Sequence, residues 1–129
     1  MVDLLKNTMK NKVADFMLEY VKNNEKMEEG KKRNISSSMK ATANVIRQAP
    51  ILVLIFREKD DYWIVGDNLS IGACVENMCL RATDLGVGSL WIRDIVYVAN
   101  DVARMLGYQN MELNCALSLG VSNENPEQR

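Results

Sequence analysis

The sequence contains no histidine, and this absence excludes several kinds of active site. A Ser-His-Asp or Cys-His nucleophile, and any metal centre that uses imidazole, needs a residue that the chain does not have. Chemistry in this protein has to come from carboxylates, lysines, thiols or a bound cofactor. We therefore assign no catalytic side chain and no metal site from the sequence.

Cysteine, excess charge and long apolar runs are also scarce. The cysteines are three, an odd number, and no two of them form a Cys-x-x-Cys pair: they are Cys74, Cys79 and Cys115. We therefore interpret them as small apolar residues in a reducing compartment. A net charge of −1 lacks the basic excess of a nucleic-acid-binding domain. The longest apolar run, 49–56, is far too short for a membrane span, and the N-terminus has no signal-peptide pattern. We expect a cytoplasmic protein that binds neither nucleic acid nor membrane.

What is present fits one globular domain over residues 1–129, with 47% hydrophobic residues. Apolar periodicity predicts seven elements: helices over 4–24, 37–48, 69–85 and 99–106, and strands over 51–56, 89–92 and 113–119. Residues 25–34 are charged and indicate a connection, and the strand over 51–56 is apolar enough to be buried on both faces. The last strand has one face more apolar than the other. This order is typical of an α+β or α/β protein.

Polar residues and glycines indicate where the helices begin and end. The N-cap candidates are Ser36, Ser37 and Ser38 for the second helix, Asp67 or Asn68 for the third, and Asn100 or a neighbour for the fourth. Gly86 and Gly107 follow the third and fourth helices and are predicted as C-terminal caps. Residues 57–66 then form a loop, in which Tyr62 and Trp63 are interpreted as partly buried anchors; lining an acceptor pocket and making a dimer contact are the alternatives.

The third helix, over 69–85, is apolar almost all the way round, which indicates burial on most sides. The other elements are too few to cover it within one chain. Because exposed apolar patches of that size mark interaction surfaces, we expect a second subunit to pack against it.

Four pieces of the sequence, in order, resemble the FMN-dependent nitroreductase family over about residues 40–129. They are the Ala49-Pro50 step into the strand over 51–56, Ser70-Ile71-Gly72-Ala73 with Asn77, the turn Leu85-Gly86-Val87-Gly88-Ser89-Leu90-Trp91-Ile92, and Leu119-Gly120 with Pro126 and Arg129. Residues 1–36 are then a divergent helix and linker.

The resemblance implies an α+β fold with a small, mainly antiparallel sheet around a buried central helix, in an interlocked homodimer. It implies FMN at the subunit interface, NAD(P)H as the reductant and ping-pong hydride transfer to a small electron-poor acceptor, such as a nitroaromatic compound or a quinone. Trp91, Ile92, Arg93 and Asp94 match the loop along the flavin ring, where a backbone N–H at Arg93 or Asp94 donates toward N5. Arg129 matches a tail arginine that contacts the FMN phosphate.

The sequence departs from the family pattern at the phosphate end. Glu127 lies where many relatives have a second cation, and we find neither their Arg-Arg-Ser segment nor their Pro-Ser-x-x-Asn-x-Gln-Pro-Trp segment. The basic run at 31–33 could replace these segments in binding the phosphate, because it precedes a helix N-terminus. We interpret it instead as a solvated connection. The alternatives to an enzyme are therefore a truncated, non-catalytic dimer that has lost flavin binding, and one piece of a split gene.

Overall fold

The computed structural model describes residues 2–4, 7–24 and 31–123, with side chains for 7–24 and 35–123. The elements in chain order are β1 (Val2–Leu4), α1 (Asn7–Asn24), α2 (Lys31–Gln48), β2 (Ile51–Glu58), α3 (Ile64–Asp84), β3 (Gly88–Ile92), a 3-10 turn (Asp94–Val98), α4 (Ala99–Leu106) and β4 (Met111–Gly120). The helices in these segments are all too short or too polar to cross a bilayer.

The four strands form one antiparallel sheet in the order β1-β2-β4-β3. The α+β class and the small antiparallel sheet are confirmed. The central strand β2 contains the apolar run over 51–56, and its residues 52–57 are buried, because helices cover both faces of the sheet. On β4, residues 115–118 are all buried, so helices cover both faces of this strand there, including the less apolar one.

Two hydrophobic cores lie on opposite faces of the sheet. The larger core is formed by α1, α2, the 3-10 turn and α4 against side chains such as Leu52, Leu54 and Ala116. The smaller one is formed by α3, which places Val75 against Val53, Ile55, Cys115 and Leu117. One face is therefore covered by several elements and the other by a single helix.

A β-bulge interrupts the pairing of β2 with β4. Ile55 pairs with Cys115, but the next residue, Phe56, pairs with Leu113, so Asn114 has no partner on β2. Leu113 and Ala116 consequently lie in the same core although they are three residues apart. Such an extra residue changes the direction of a side chain, and bulges are frequent beside functional sites.

The N-terminal half differs from the prediction at two helix starts. Leu4 belongs to β1, a three-residue strand too short for a periodic pattern, and α1 begins at Asn7. The second helix begins at Lys31, so the serines at 36–38 lie inside it and are not caps; residues 25–30 of the predicted connection lie outside the described residues. Met39, Ala43 and Ile46 place one apolar face of this helix on the larger core.

The third helix also begins earlier than predicted, at Ile64. Asp67 and Asn68 therefore lie within its first turns, and the Asp67 N–H donates to the Trp63 carbonyl at 2.8 Å. Only residues 59–63 remain as loop. Tyr62 and Trp63 are 81% and 61% exposed, with ring centroids 4.8 Å apart, so the interpretation as partly buried anchors is wrong.

Within the described chain, α3 is not buried on most sides. Val75 and Ala82 are its buried residues, whereas Leu69 and Leu80 are 71% and 59% exposed. Among the described residues, no element covers this side of the helix. Its outer side borders an apolar groove of about 830 Å³.

The glycines predicted at the C-terminal ends of α3 and α4 are confirmed. Gly86 has φ +71° and Gly107 has φ +79°, the left-handed geometry that glycine adopts without strain. Asn100 is inside α4, whose N-cap residue is Val98 with no side-chain cap. The 3-10 turn before α4 was not predicted.

Candidate functional site

The predicted flavin loop lies where β3 runs into the 3-10 turn. Trp91 and Ile92 end the strand, Arg93 forms the junction and Asp94 begins the turn. Successive strand residues point to opposite faces, so Trp91 lies on the α3 side while Ile92 is buried in the larger core. Any contact of Ile92 with a ligand is therefore limited to its backbone.

The Trp91 ring is held by contacts on two sides. A Cβ at Gly72 of α3 would lie 3.9 Å from Cη2 of the indole, so the ring lies against this glycine. A side-chain hydrogen bond also links Trp91 with the Cys115 thiol. Burial raises the pKa of Cys115, nearby Cys74 raises it further, and the bond with Trp91 acts in the opposite direction.

Asp94 is tied to α2 by its side chain. The Ser38 hydroxyl donates to Asp94 Oδ2 at 2.5 Å. Among the described residues, no ion pair includes Arg93 or Asp94. The Asp94 backbone N–H begins the 3-10 turn, and N–H groups at that position have no partner within a helix. The loop thus combines a fixed side chain with an available backbone donor.

A cavity of about 570 Å³ lies beside the loop, and we call it the Arg93 cavity. It is lined by Asn68, Trp91, Arg93, Val96 and Asn114. The bulge brings Asn114 to it, where its Nδ2 donates to Asn68 Oδ1 at 2.7 Å. The volume lies within the range of about 300–1,000 Å³ that is typical of small-molecule sites.

The structure brings together four of the five predicted cofactor-binding residues. Trp91, Ile92, Arg93 and Asp94 are consecutive and form one loop. Arg129 and Glu127 lie outside the described residues, as do the side chains of the basic run at 31–33.

Sequence reasoning missed Asn68 and Asn114. Asn68 was considered only as a helix cap, and Asn114 only as a polar residue of an alternating strand. Nothing in the strand pattern around 114 indicates a bulge, because the irregularity depends on how β2 pairs with β4.

Comparison with known proteins identifies the family. The sequence profile of the Nitroreductase family matches residues 4–121. The chain belongs to this family. None of the curated protein sequences matches it.

Solved structures with the same fold include several flavoproteins. A BluB-like flavoprotein from Clostridium difficile 630 matches with a TM-score of 0.74 and 23% identity, over 100% of this chain and 73% of that one. A nitroreductase with bound FMN from Desulfitobacterium hafniense DCB-2 has a TM-score of 0.73 and 18% identity, over 97% and 67%. The FMN-dependent nitroreductase NfnB from Mycobacterium smegmatis, solved with NADPH, has a TM-score of 0.69 and 16% identity, over 95% and 68%.

At these identities the structures establish the fold. The chain covers 73% of the length of the BluB-like flavoprotein and between 52% and 68% of the length of other matching structures. The predicted nitroreductase-like fold is confirmed.

Proposed function

We propose that this protein is an FMN-dependent NAD(P)H oxidoreductase of the nitroreductase type, acting in the cytoplasm on small electron-poor acceptors such as nitroaromatic compounds and quinones. The observation behind the proposal is the Trp91–Asp94 loop, which joins an available backbone donor to the Arg93 cavity in a chain of this family. When bound, FMN accepts hydride from NAD(P)H and passes it to the acceptor in a second half-reaction.

The residues of the loop fit the ring end of such a cofactor. The N–H at Arg93 or Asp94 would donate toward a bound flavin, and a backbone donor does not depend on the side chain at these positions. Ser38 holds Asp94 through its carboxylate, which fixes the position of this donor. Trp91 supplies an apolar wall that is 44% exposed.

Arg129 is the residue proposed for the phosphate end. A guanidinium places two N–H groups on two phosphate oxygens, which suits a group with nearly two negative charges. Glu127, two positions earlier in the sequence, reduces the positive potential available to it.

We also propose that the active form is a homodimer built on α3. The exposed side of this helix presents Leu69 and Leu80, and the groove of about 830 Å³ continues along it. A second copy of this chain would cover this face and place its own atoms near the loop of the first.

FMN binding to the purified chain tests the proposal. FMN fluorescence should be quenched on titration, and the loaded protein should oxidise NADH or NADPH in the presence of a nitroaromatic acceptor. Arg129→Ala should weaken FMN binding by about 10- to 100-fold, because a charge-assisted contact is lost. Riboflavin has no phosphate and is the matched control, so its affinity should not change.

A chain that binds no FMN, and oxidises NAD(P)H no faster than free FMN does, would contradict the enzymatic proposal. The second candidate function would then apply, a non-catalytic dimer that has lost the flavin site. One observation favours this second candidate. Arg93 is the one cation among the described residues that line the Arg93 cavity.

A further inference from the structure

Arg93 differs from the other arginines whose side chains the structure describes. Arg47, Arg57, Arg81 and Arg104 each form an ion pair with a carboxylate. Arg93 forms no ion pair or hydrogen bond with a described residue, although its exposed side chain lines the Arg93 cavity. Its positive charge is therefore not neutralised by any described carboxylate.

The neighbouring carboxylate, that of Asp94, is bound elsewhere. Its Oδ2 accepts a hydrogen bond from the Ser38 hydroxyl of α2, and it forms no ion pair with Arg93. The other described residues that line the cavity carry no charge: they are Asn68, Trp91, Val96 and Asn114. The described lining of the cavity thus has one positive charge and no negative charge.

The proposed reaction places a negative charge on the bound flavin ring. A hydride carries two electrons and one proton, so its transfer from NAD(P)H leaves NAD(P)+ and gives the neutral ring one negative charge. Transfer of the hydride to the acceptor removes that charge again. A cation near the ring therefore stabilises the reduced cofactor more than the oxidised one, and such charges are a means by which proteins tune flavins.

We propose that Arg93 stabilises the reduced form of the bound flavin by its charge and thereby raises the reduction potential of the cofactor. The guanidinium lines the cavity, and the same residue belongs to the loop assigned to the flavin ring. No second ligand is placed in the cavity. The inference deepens the proposed function and rests on it, since the charge acts on a flavin bound there.

The midpoint potential of the FMN-loaded protein tests this inference. Reduction by dithionite beside a reference dye gives the potential without turnover of NAD(P)H. Arg93→Gln should lower the ratio of the affinities for reduced and oxidised FMN by about tenfold. For a two-electron couple this corresponds to a midpoint potential about 30 mV more negative. Arg93→Lys keeps the charge and should restore most of the difference. Arg104→Gln, which removes an exposed charge on α4, should leave the potential unchanged.

Two further measurements separate this effect from other roles of Arg93. Raising the salt concentration should narrow the difference between the unmodified protein and Arg93→Gln, because salt screens an exposed charge. Riboflavin has the same ring as FMN and no phosphate, so the difference should persist in riboflavin-loaded protein. Far-UV circular dichroism checks that Arg93→Gln folds.

The inference is overturned if the unmodified protein and Arg93→Gln have the same midpoint potential, or if Arg93→Lys behaves as Arg93→Gln does. A difference that disappears with riboflavin would also overturn it, since Arg93 would then serve the phosphate.

Failure of the proposed function is distinct from failure of the inference. FMN-loaded protein that neither NADH nor NADPH reduces would contradict the function, whereas a potential that depends on Arg93 would still support the inference. Oxidation of NAD(P)H with equal potentials in the two proteins would support the function and overturn the inference. A chain that binds no FMN would overturn both.

Discussion

At the scale of single residues, Arg57 is a buried cation that holds the loop before α3. Its side chain is 5% exposed and pairs with Glu112. It also donates to the carbonyls of Glu58 and Asp60, at 3.1 and 3.0 Å. Removal of the guanidinium takes this donor from both carbonyls and leaves Glu112 without its ion-pair partner.

We expect Arg57→Met to lower the free energy of unfolding by about 3 kcal/mol, because several charge-assisted hydrogen bonds are lost together. Arg104→Met is the control, since its pair with Asp101 is exposed and should contribute less than about 0.5 kcal/mol. Urea denaturation followed by circular dichroism measures both. Equal losses in the two variants would show that burial of Arg57 has no energetic role.

At the scale of elements, the left-handed residues that end α3 and α4 fix where the chain turns toward β3 and β4. The N–H of Gly107 donates to the Arg104 carbonyl at 3.2 Å, and that of Tyr108 to the Ala103 carbonyl at 2.8 Å. These bonds require the positive φ of Gly107, which a side chain with a Cβ adopts only with strain.

Gly107→Ala should therefore lower the free energy of unfolding by about 1 kcal/mol. Gly107→Asn, at the same position, should cost less, because asparagine tolerates this conformation better than alanine. No described atom lies within 4 Å of a Cβ placed there, so a steric clash does not contribute. Thermal unfolding of both variants provides the comparison, and an equal cost would argue against a backbone origin.

The predictability of the elements follows from the same physics. The strand 51–56 and the helix 99–106 were located from sequence because their apolar patterns and flanking glycine or proline are local features. The strand β1 was not, since it depends on pairing with β2, far along the chain. In the candidate site, the resemblance to the family predicted the loop 91–94, whereas no local pattern indicated the bulge at Asn114.

At the scale of the whole molecule, the outer side of α3 is the surface on which the proposed homodimer depends. The inner side of this apolar helix covers one face of the sheet, and its outer side is exposed. Such an arrangement favours association with a second copy of the chain. Leu80 lies on this exposed side and has no described element over it.

We expect sedimentation equilibrium to give twice the 14.6 kDa chain mass for the unmodified protein. Leu80→Glu should weaken the dimer by about 4 kcal/mol, because two-fold symmetry removes two buried leucines at once. Met9→Glu, a change at an exposed apolar residue of α1, should leave the dimer intact. A monomer at the highest soluble concentration of the unmodified chain would contradict this assembly.

The sequence by itself determined the absence of imidazole chemistry and limited the fold to the α+β or α/β class, because composition and apolar periodicity are sufficient for both. Resemblance to the family selected the α+β class and pointed to the loop 91–94. The tertiary structure decided that Tyr62 and Trp63 are exposed and that Arg93 has no described ion-pair partner. It also decided that Asn114 meets Asn68 across a bulge. These features depend on strand register and helix packing, which arise from contacts between residues distant in sequence and therefore have no local pattern that predicts them.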